Sequence, residues 1–272
     1  MNLSIYYNGE ILAAGTAIID AGNRGFRYGD GLFETMRVKD GKLLLAGLHF
    51  ERLFAGLHLL QFSSTEQFTA EYLTEQVRRL CQVNGHARSA RVRLVVFRKN
   101  GALNDPLAGP ADLLIESYAW EPGGNVDQGL RIGIFPQGRK ACDVYSNCKS
   151  NNYLLYAMAA GHARDHGWDD CLVLNSHERI ADSTIANLFY VKGGVVYTPP
   201  LSEGCVAGVM RRHLLETLPG LGIRVEECAV TVEGLKGAEE VFLTNALRGI
   251  RRVRYFGDIE YGHQLIDLLR YE

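Results

Sequence analysis

Apolar positions follow a helical period in the stretch LHFERLFAGLHLL, residues 48–60, where Leu48, Phe50, Leu53, Phe54, Leu57 and Leu60 recur at three- and four-residue spacing. A second amphipathic run opens at Thr65 with Gln67 and extends to Cys81. Elsewhere the chain is strand-like. LSIYYNGEIL carries strand signals, and GLFETMRV and KLLLAG flank Asp40-Gly41, the turn pair of a β-hairpin. RVRLVVFR and ADLLIESYAW add two further strands and complete a compact α/β unit.

Glu121-Pro-Gly-Gly-Asn-Val126 punctuates the chain between two strand-rich stretches. The pattern therefore predicts a small α/β domain over 1–120, a linker at 121–126 and a larger domain over 127–272. In the larger part, a strand at Leu130 to Phe135 precedes a helix at about Asn152 to Asp165. DCLVLN, NLFYV and VVYTP follow as short strands, then a helix from about Val206 to Leu218 and strands near IRVEECAV and EEVFLTNA. Many strands with few helices predict a barrel-like sheet, so the fold class is α/β (α+β) in two domains.

Composition adds exclusions. A chain of 272 residues, 47% hydrophobic and 22% charged, is long enough to bury cores without metal or disulfide staples. Lys plus Arg is 29 and Asp plus Glu 31, a balance that points away from nucleic acid and anionic membrane as main partners. The six cysteines, Cys81, Cys142, Cys148, Cys171, Cys205 and Cys228, lie at wide irregular spacings without CxxC. That fits neither a zinc site nor a disulfide framework, and a reducing cytoplasm is the expected location. MNLSIYYNGEIL lacks the basic and apolar regions of a signal peptide, and no run approaches a membrane span.

Several enzyme classes lose their motif. There is no GxxxxGK[ST] loop and no HExxH. Gly29-Asp-Gly31 and Gly220-Leu-Gly222 begin GxGxxG but lack its third glycine. His162 and His166 stand at metal-ligand spacing on a predicted helix, but a third ligand is missing nearby and a solvated helix face accounts for them, so no metal is expected. Cys148-Lys149-Ser-Asn-Asn152-Tyr153 is more informative, because a lysine just ahead of a helix suits a Schiff-base nucleophile once burial or neighbouring cations free its lone pair.

That stretch, with the downstream GWDDCLVLNSHERIADSTIANLFYV and VVYTPPLSEGCVAGVMRR, resembles the class IV aminotransferase family of pyridoxal-phosphate enzymes. The family includes branched-chain and D-amino-acid aminotransferases and aminodeoxychorismate lyases. Arg27-Tyr28-Gly29-Asp30-Gly31-Leu32-Phe33-Glu34-Thr35 resembles its N-terminal element, and the likeness runs through to Phe242-Leu-Thr-Asn-Ala246.

The resemblance implies a two-domain fold-type IV enzyme with pyridoxal 5′-phosphate as cofactor, a small amino substrate and a homodimer whose partner helps to close the pocket. Lys149 corresponds to the lysine that forms the Schiff base and moves the substrate proton. Arg52 corresponds to an arginine on the cofactor phosphate. Val209 and Met210, in Gly208-Val-Met-Arg211, lie at the phosphate loop, where helix N–H groups suit a dianion. Asn245 and Ala246 correspond to a second phosphate turn, with alanine where threonine is commoner. Tyr153 is expected either to pack on the cofactor or to fill core. Asp182 stands five residues before Asn187, where the family usually has a glutamate that holds the ring nitrogen protonated.

Glu34, Arg98, Arg248 and Arg27 are the candidates for meeting substrate, the arginines through its carboxylates. Four features lean toward the lyases: Asn152 at Lys149 +3, Ser183-Thr-Ile-Ala-Asn187-Leu-Phe189, Asn245-Ala-Leu247 and Val209-Met210-Arg211. Glu34 after Phe33 is found in many transaminases, which keeps branched-chain or D-amino-acid transamination as the alternative. A non-catalytic cofactor-binding protein is the contrasting class.

Overall fold

The computed structural model describes residues 3–63, 68–109, 111–121 and 128–269. It divides into two units, Met1–Pro122 with Cys148–Asn152, and Gly123–Asn147 with Tyr153–Glu272. The expected linker at 121–126 lies, apart from Glu121, outside the described residues, as do Thr65 and Gln67.

In the first unit, β1 (Ser4–Tyr7) and β2 (Glu10–Ala13) form a hairpin, and a short helix α1 (Arg24–Tyr28) follows. Next come β3 (Gly31–Lys39), β4 (Lys42–Leu43), α2 (Ala46–Leu59), α3 (Ala70–Val83), β5 (Ser89–Arg98) and β6 (Ala111–Ala119). The strands make one antiparallel sheet in the order β2-β1-β6-β5-β3-β4. As the turn pair predicts, β3 and β4 close around Asp40 and Gly41, both at positive φ (50° and 76°).

Period-two alternation in β5 sends Ala90, Val92, Leu94 and Val96 into the core. Arg91 and Arg93 leave on the opposite face and lie over the Tyr118 and Phe33 rings at 4.6 and 4.1 Å. From α3, Leu73, Val77, Leu80 and Cys81 occupy one helical stripe, and from α2 Phe50, Leu53 and Leu57 do the same; both stripes join the apolar face of the sheet in a single cluster. Thr69, whose hydroxyl accepts from the Tyr72 N–H, starts α3 later than the sequence pattern predicts.

The second unit contains β7 (Leu130–Lys140), α4 (Leu154–Asp165), β8 (Asp170–Asn175), β9 (Ile180–Ser183), β10 (Asn187–Lys192) and β11 (Val195–Thr198). It continues with α5 (Val209–Thr217), β12 (Val225–Glu227), α6 (Val232–Lys236), β13 (Glu240–Asn245), β14 (Gly249–Phe256), β15 (Ile259–Glu260) and α7 (Gln264–Leu268). The strand order is β12-β11-β10-β13-β14-β7-β8-β9, with β15 on β14. Pairs β7–β14, β7–β8 and β11–β12 are parallel. β9, at one end of that order, leads into β10, near the other end, through a tight turn closed by the Ser183 N–H to Ala186 carbonyl bond of 2.8 Å, so the sheet curls on itself as a barrel-like sheet should.

Three differences from the sequence reading have physical causes. Lys149 and its neighbours fall in the first unit, outside the predicted first domain, because backbone bonds tie them to the start of β3. β7 runs five residues past Phe135, through Pro136 and Gly138, because a register shift between Phe135 and Arg139 absorbs them. β14 has no counterpart in the sequence pattern, because its residues up to Arg252 are half-buried, which weakens the hydrophobic signal.

Candidate active site

Lys149 is positioned by the RYGDGLF stretch. α1 starts at Asn23, whose side chain accepts from the Phe26 N–H, and ends at Gly29 in the left-handed region (φ 66°). A Cβ on Gly29 would lie 2.3 Å from Asn152 Oδ1, so both the backbone conformation and the space require glycine. The Phe33 N–H donates to the Lys149 carbonyl and the Asn151 N–H to the Gly31 carbonyl, each at 2.9 Å. Half-buried Lys149 then holds its ammonium 4.4 Å from the Phe33 ring centroid.

Arg52 on α2 is gripped by Glu34. Arg52 Nε donates to Glu34 Oε1 at 2.8 Å and Nη2 to Oε2 at 2.5 Å, while His49 Nδ1 lies 2.7 Å from Oε2. Burial pushes the Glu34 carboxyl up, but Arg52's charge and the hydrogen bonds from His49 and Arg52 outweigh it and bring the pKa down to about 2. Glu34 therefore departs from the substrate role expected of it: its side chain is fully enclosed and both oxygens serve Arg52 and His49.

Arg98 departs from expectation for the same reason. Its Nε donates to Asp30 at 3.0 Å, Nη1 to the Leu107 carbonyl and Nη2 to the Leu60 carbonyl, with the guanidinium 4.0 Å from the Phe62 ring. Arg24 binds the same Asp30 carboxylate from the other side. Arg98 is 3% exposed and its fork is filled, so it braces a turn instead of receiving a carboxylate. Arg27 is exposed, with Nε donating to the Ala21 carbonyl, and Arg248 is exposed in the turn after β13.

In the second unit Asp182, on β9, is buried. Its Oδ2 accepts from the Val206 N–H at 2.9 Å, from the Tyr156 hydroxyl at 2.9 Å and from Lys140 Nζ at 3.1 Å. Sequence reasoning missed Lys140, which lies in the polar run Gly-Arg-Lys-Ala beyond the predicted strand end. Tyr156 was missed too, although it stands three residues after Tyr153 on the same helical run. Tyr153 donates from its hydroxyl to the Thr184 carbonyl at 3.1 Å, and its ring lies 4.6 Å from that of Tyr156. Below β9, Asp170 accepts from the Ser183 and Thr184 hydroxyls, and burial raises its pKa.

Val209 and Met210 form the buried first turn of α5, whose N-cap is Gly208 with no side-chain capping bond. A Cβ on Gly208 would sit 1.8 Å from Asn187 Oδ1, a contact no side chain tolerates. Asn187 pairs across the ladder with Thr244, whose buried hydroxyl has no hydrogen-bond partner among the described residues. After Thr244, the Asn245 side chain accepts from the Leu247 and Arg248 N–H groups and turns the chain through Ala246. The arrangement offers backbone donors and one spare hydroxyl, a donor set for an oxyanion.

Among the described residues no group of three or more His, Cys, Asp or Glu stands where a metal could be held. His166 Nδ1 lies 2.8 Å from the His162 carbonyl, and both rings pack with Trp168. No described helix is long and apolar enough to cross a membrane.

A family model described as amino-transferase class IV matches residues 31–256. An aminodeoxychorismate lyase of Vibrio harveyi is 30% identical over 248 residues, covering 86% of both chains. A putative branched-chain-amino-acid aminotransferase of Methanocaldococcus jannaschii is 31% identical over 245 residues, 89% of this chain and 84% of its own. The crystal structure of the Escherichia coli branched-chain amino acid aminotransferase matches with a TM-score of 0.87 at 25% identity, over 96% of this chain and 89% of that one.

Proposed function

The chain belongs to the class IV aminotransferase family, whose cofactor is pyridoxal 5′-phosphate, and from that membership and the site geometry we propose that it is a 4-amino-4-deoxychorismate lyase serving folate synthesis. The residues present suit the cofactor. Lys149 offers an amine to the aldehyde, Asp182 a carboxylate to the ring nitrogen, and the uncapped start of α5 with the orphaned Thr244 hydroxyl and the Ala246 turn offers donors to the phosphate. Arg52, held by Glu34, adds a fixed positive charge for that phosphate, and Tyr153 an aromatic face.

When bound, pyridoxal phosphate withdraws electrons from the substrate carbon that bears the amine. The Lys149 amine takes the proton from that carbon. Breaking the neighbouring carbon–oxygen bond then expels enolpyruvate, which takes up a proton and becomes pyruvate, while the six-membered ring left behind becomes 4-aminobenzoate. Arg248 and Arg27, the exposed candidates, are assigned to the substrate carboxylates.

The observation that supports the lyase reading is the seating of Asn152 against Gly29, which gives a place to the Asn of Lys-x-x-Asn, a spacing that resembles the lyases and the D-amino-acid enzymes and differs from the branched-chain enzymes. The filled fork of Arg98 also argues against D-amino-acid specificity. Branched-chain transamination is the second reading, favoured by the Methanocaldococcus relative. Incubation of cofactor-loaded protein with enzymatically generated aminodeoxychorismate separates the two. Equimolar pyruvate and 4-aminobenzoate support the lyase. No product, with stoichiometric conversion of cofactor to pyridoxamine phosphate by an amino-acid donor, replaces it with the transaminase.

A further inference from the structure

We propose that Lys140 is a positioning residue for the ring-nitrogen carboxylate: it balances the charge of Asp182 inside the second unit, so that a pyridine-type nitrogen held by Asp182 gives up its proton at a lower pH than it would beside an unpaired carboxylate. The inference rests on the assignment of Asp182 to the cofactor ring and adds to it a residue that none of the family motifs contains.

The bulge in β7 selects the residue. Arg139 and Lys140 are adjacent cations at the end of the strand, so strand alternation puts them on opposite faces, and the register shift after Phe135 decides which of them faces inward. Arg139 faces outward onto Glu178, with Nε–Oε1 at 2.7 Å. Lys140 faces inward, 8% exposed, with Nζ 3.1 Å from Asp182 Oδ2 and donating also to the Tyr156 hydroxyl. An ammonium so enclosed requires its counter-ion, so the pair is a fixed part of the second unit's interior.

Two titratable neighbours of Asp182, Tyr156 and Cys205, are held in their neutral forms. Burial, and then the Asp182 charge, push the Tyr156 hydroxyl well above its ordinary value. Burial pushes the Cys205 thiol up to about 11. Tyr153 gives its hydroxyl to Thr184, and Arg211, from α5, is paired with Glu227. Lys140 is thus the cation in hydrogen-bond contact with the Asp182 carboxylate. A carboxylate sharing its charge with an ammonium stabilises a neighbouring ring cation less than an unpaired one does.

The consequence is chemical. A ring nitrogen that parts with its proton more readily is a weaker electron sink, which slows proton removal in every reaction of the family. Aromatisation of the product offsets that loss for the lyase, and a transaminase has no such compensation.

The test uses holoprotein loaded with pyridoxal phosphate carrying ¹⁵N in the ring, and reads the pH at which the nitrogen signal loses its proton, without turnover. Lys140→Gln is expected to move that midpoint up by about one pH unit or more, and Lys140→Arg to leave it near wild type. Asp182→Asn should move it down. Should Lys140→Gln fail to fold, the charge-neutral double variant Lys140→Met/Asp182→Asn, expected above Asp182→Asn alone, answers the same question. An unmoved midpoint in Lys140→Gln, or equal midpoints in the double variant and Asp182→Asn, while Asp182→Asn still departs from wild type, overturns the role of Lys140 and leaves Asp182 on the ring. No shift in Asp182→Asn overturns both.

Discussion

Glu34 in the first unit and Asp182 in the second are both buried carboxylates facing a cation, and they are built for opposite ends. Glu34 meets the two-pronged guanidinium of Arg52 and the His49 ring, so two basic side chains use both of its oxygens. Asp182 meets one ammonium, one phenol and one backbone N–H. The first arrangement locks a charge in place and turns the acid into a strut for Arg52. In the second, a single ammonium balances the charge, and a ring nitrogen can share the carboxylate. A carboxylate with both oxygens held by basic side chains marks structural service, and one with an oxygen free of them marks a site whose proton can be adjusted.

Substitutions should separate the two acids. Asp182→Asn is expected to lower pyruvate release about a thousandfold while moving the urea unfolding midpoint much less, a split that steady-state assay and denaturation together will read. Glu34→Ala should do the reverse first, losing about 3–5 kcal/mol of stability because it removes the buried carboxylate that holds Arg52 and His49. Its carboxyl, at about 2 in the folded chain against an ordinary 4.5, contributes stability that is present above about pH 4.5 and lost as the pH falls toward 2. A urea series over that window should show the loss in wild type and not in Glu34→Gln.

Smaller effects bound the comparison. Gly208→Ala forces Asn187 aside at the start of α5 and should weaken cofactor affinity by about tenfold in an equilibrium titration, with the first unit untouched. Arg139→Ala, which removes the outward neighbour of Lys140, should leave both stability and the ring-nitrogen midpoint unchanged within error.

Much of this architecture is legible in the amino-acid sequence alone. The Asp40-Gly41 hairpin, the stripes of α2 and α3 and the strands DCLVLN and NLFYV rest on local turn chemistry and periodicity, which sequence carries directly. The RYGDG element is legible as a motif but not as a device: its glycines matter because Asn151 and Asn152 lie against them, a contact between residues about 120 positions apart. Glu34 and Arg98 resemble substrate ligands in the sequence because a charged residue in a motif does not reveal which partners already fill it. Lys140 is hidden by a bulge, since Pro136 and Gly138 end a strand pattern that the backbone in fact carries on. Charge pairs made by tertiary packing leave no periodic trace.

The central claim is that Lys149 carries the cofactor while Lys140 holds the acid. Borohydride treatment of the pyridoxal-phosphate-loaded protein fixes the cofactor to whichever lysine holds it, and peptide mass spectrometry then identifies the residue. The account predicts a phosphopyridoxyl mass on the peptide containing Lys149, at one per chain, and unmodified Lys140. The label on Lys140, or on neither residue, would contradict it.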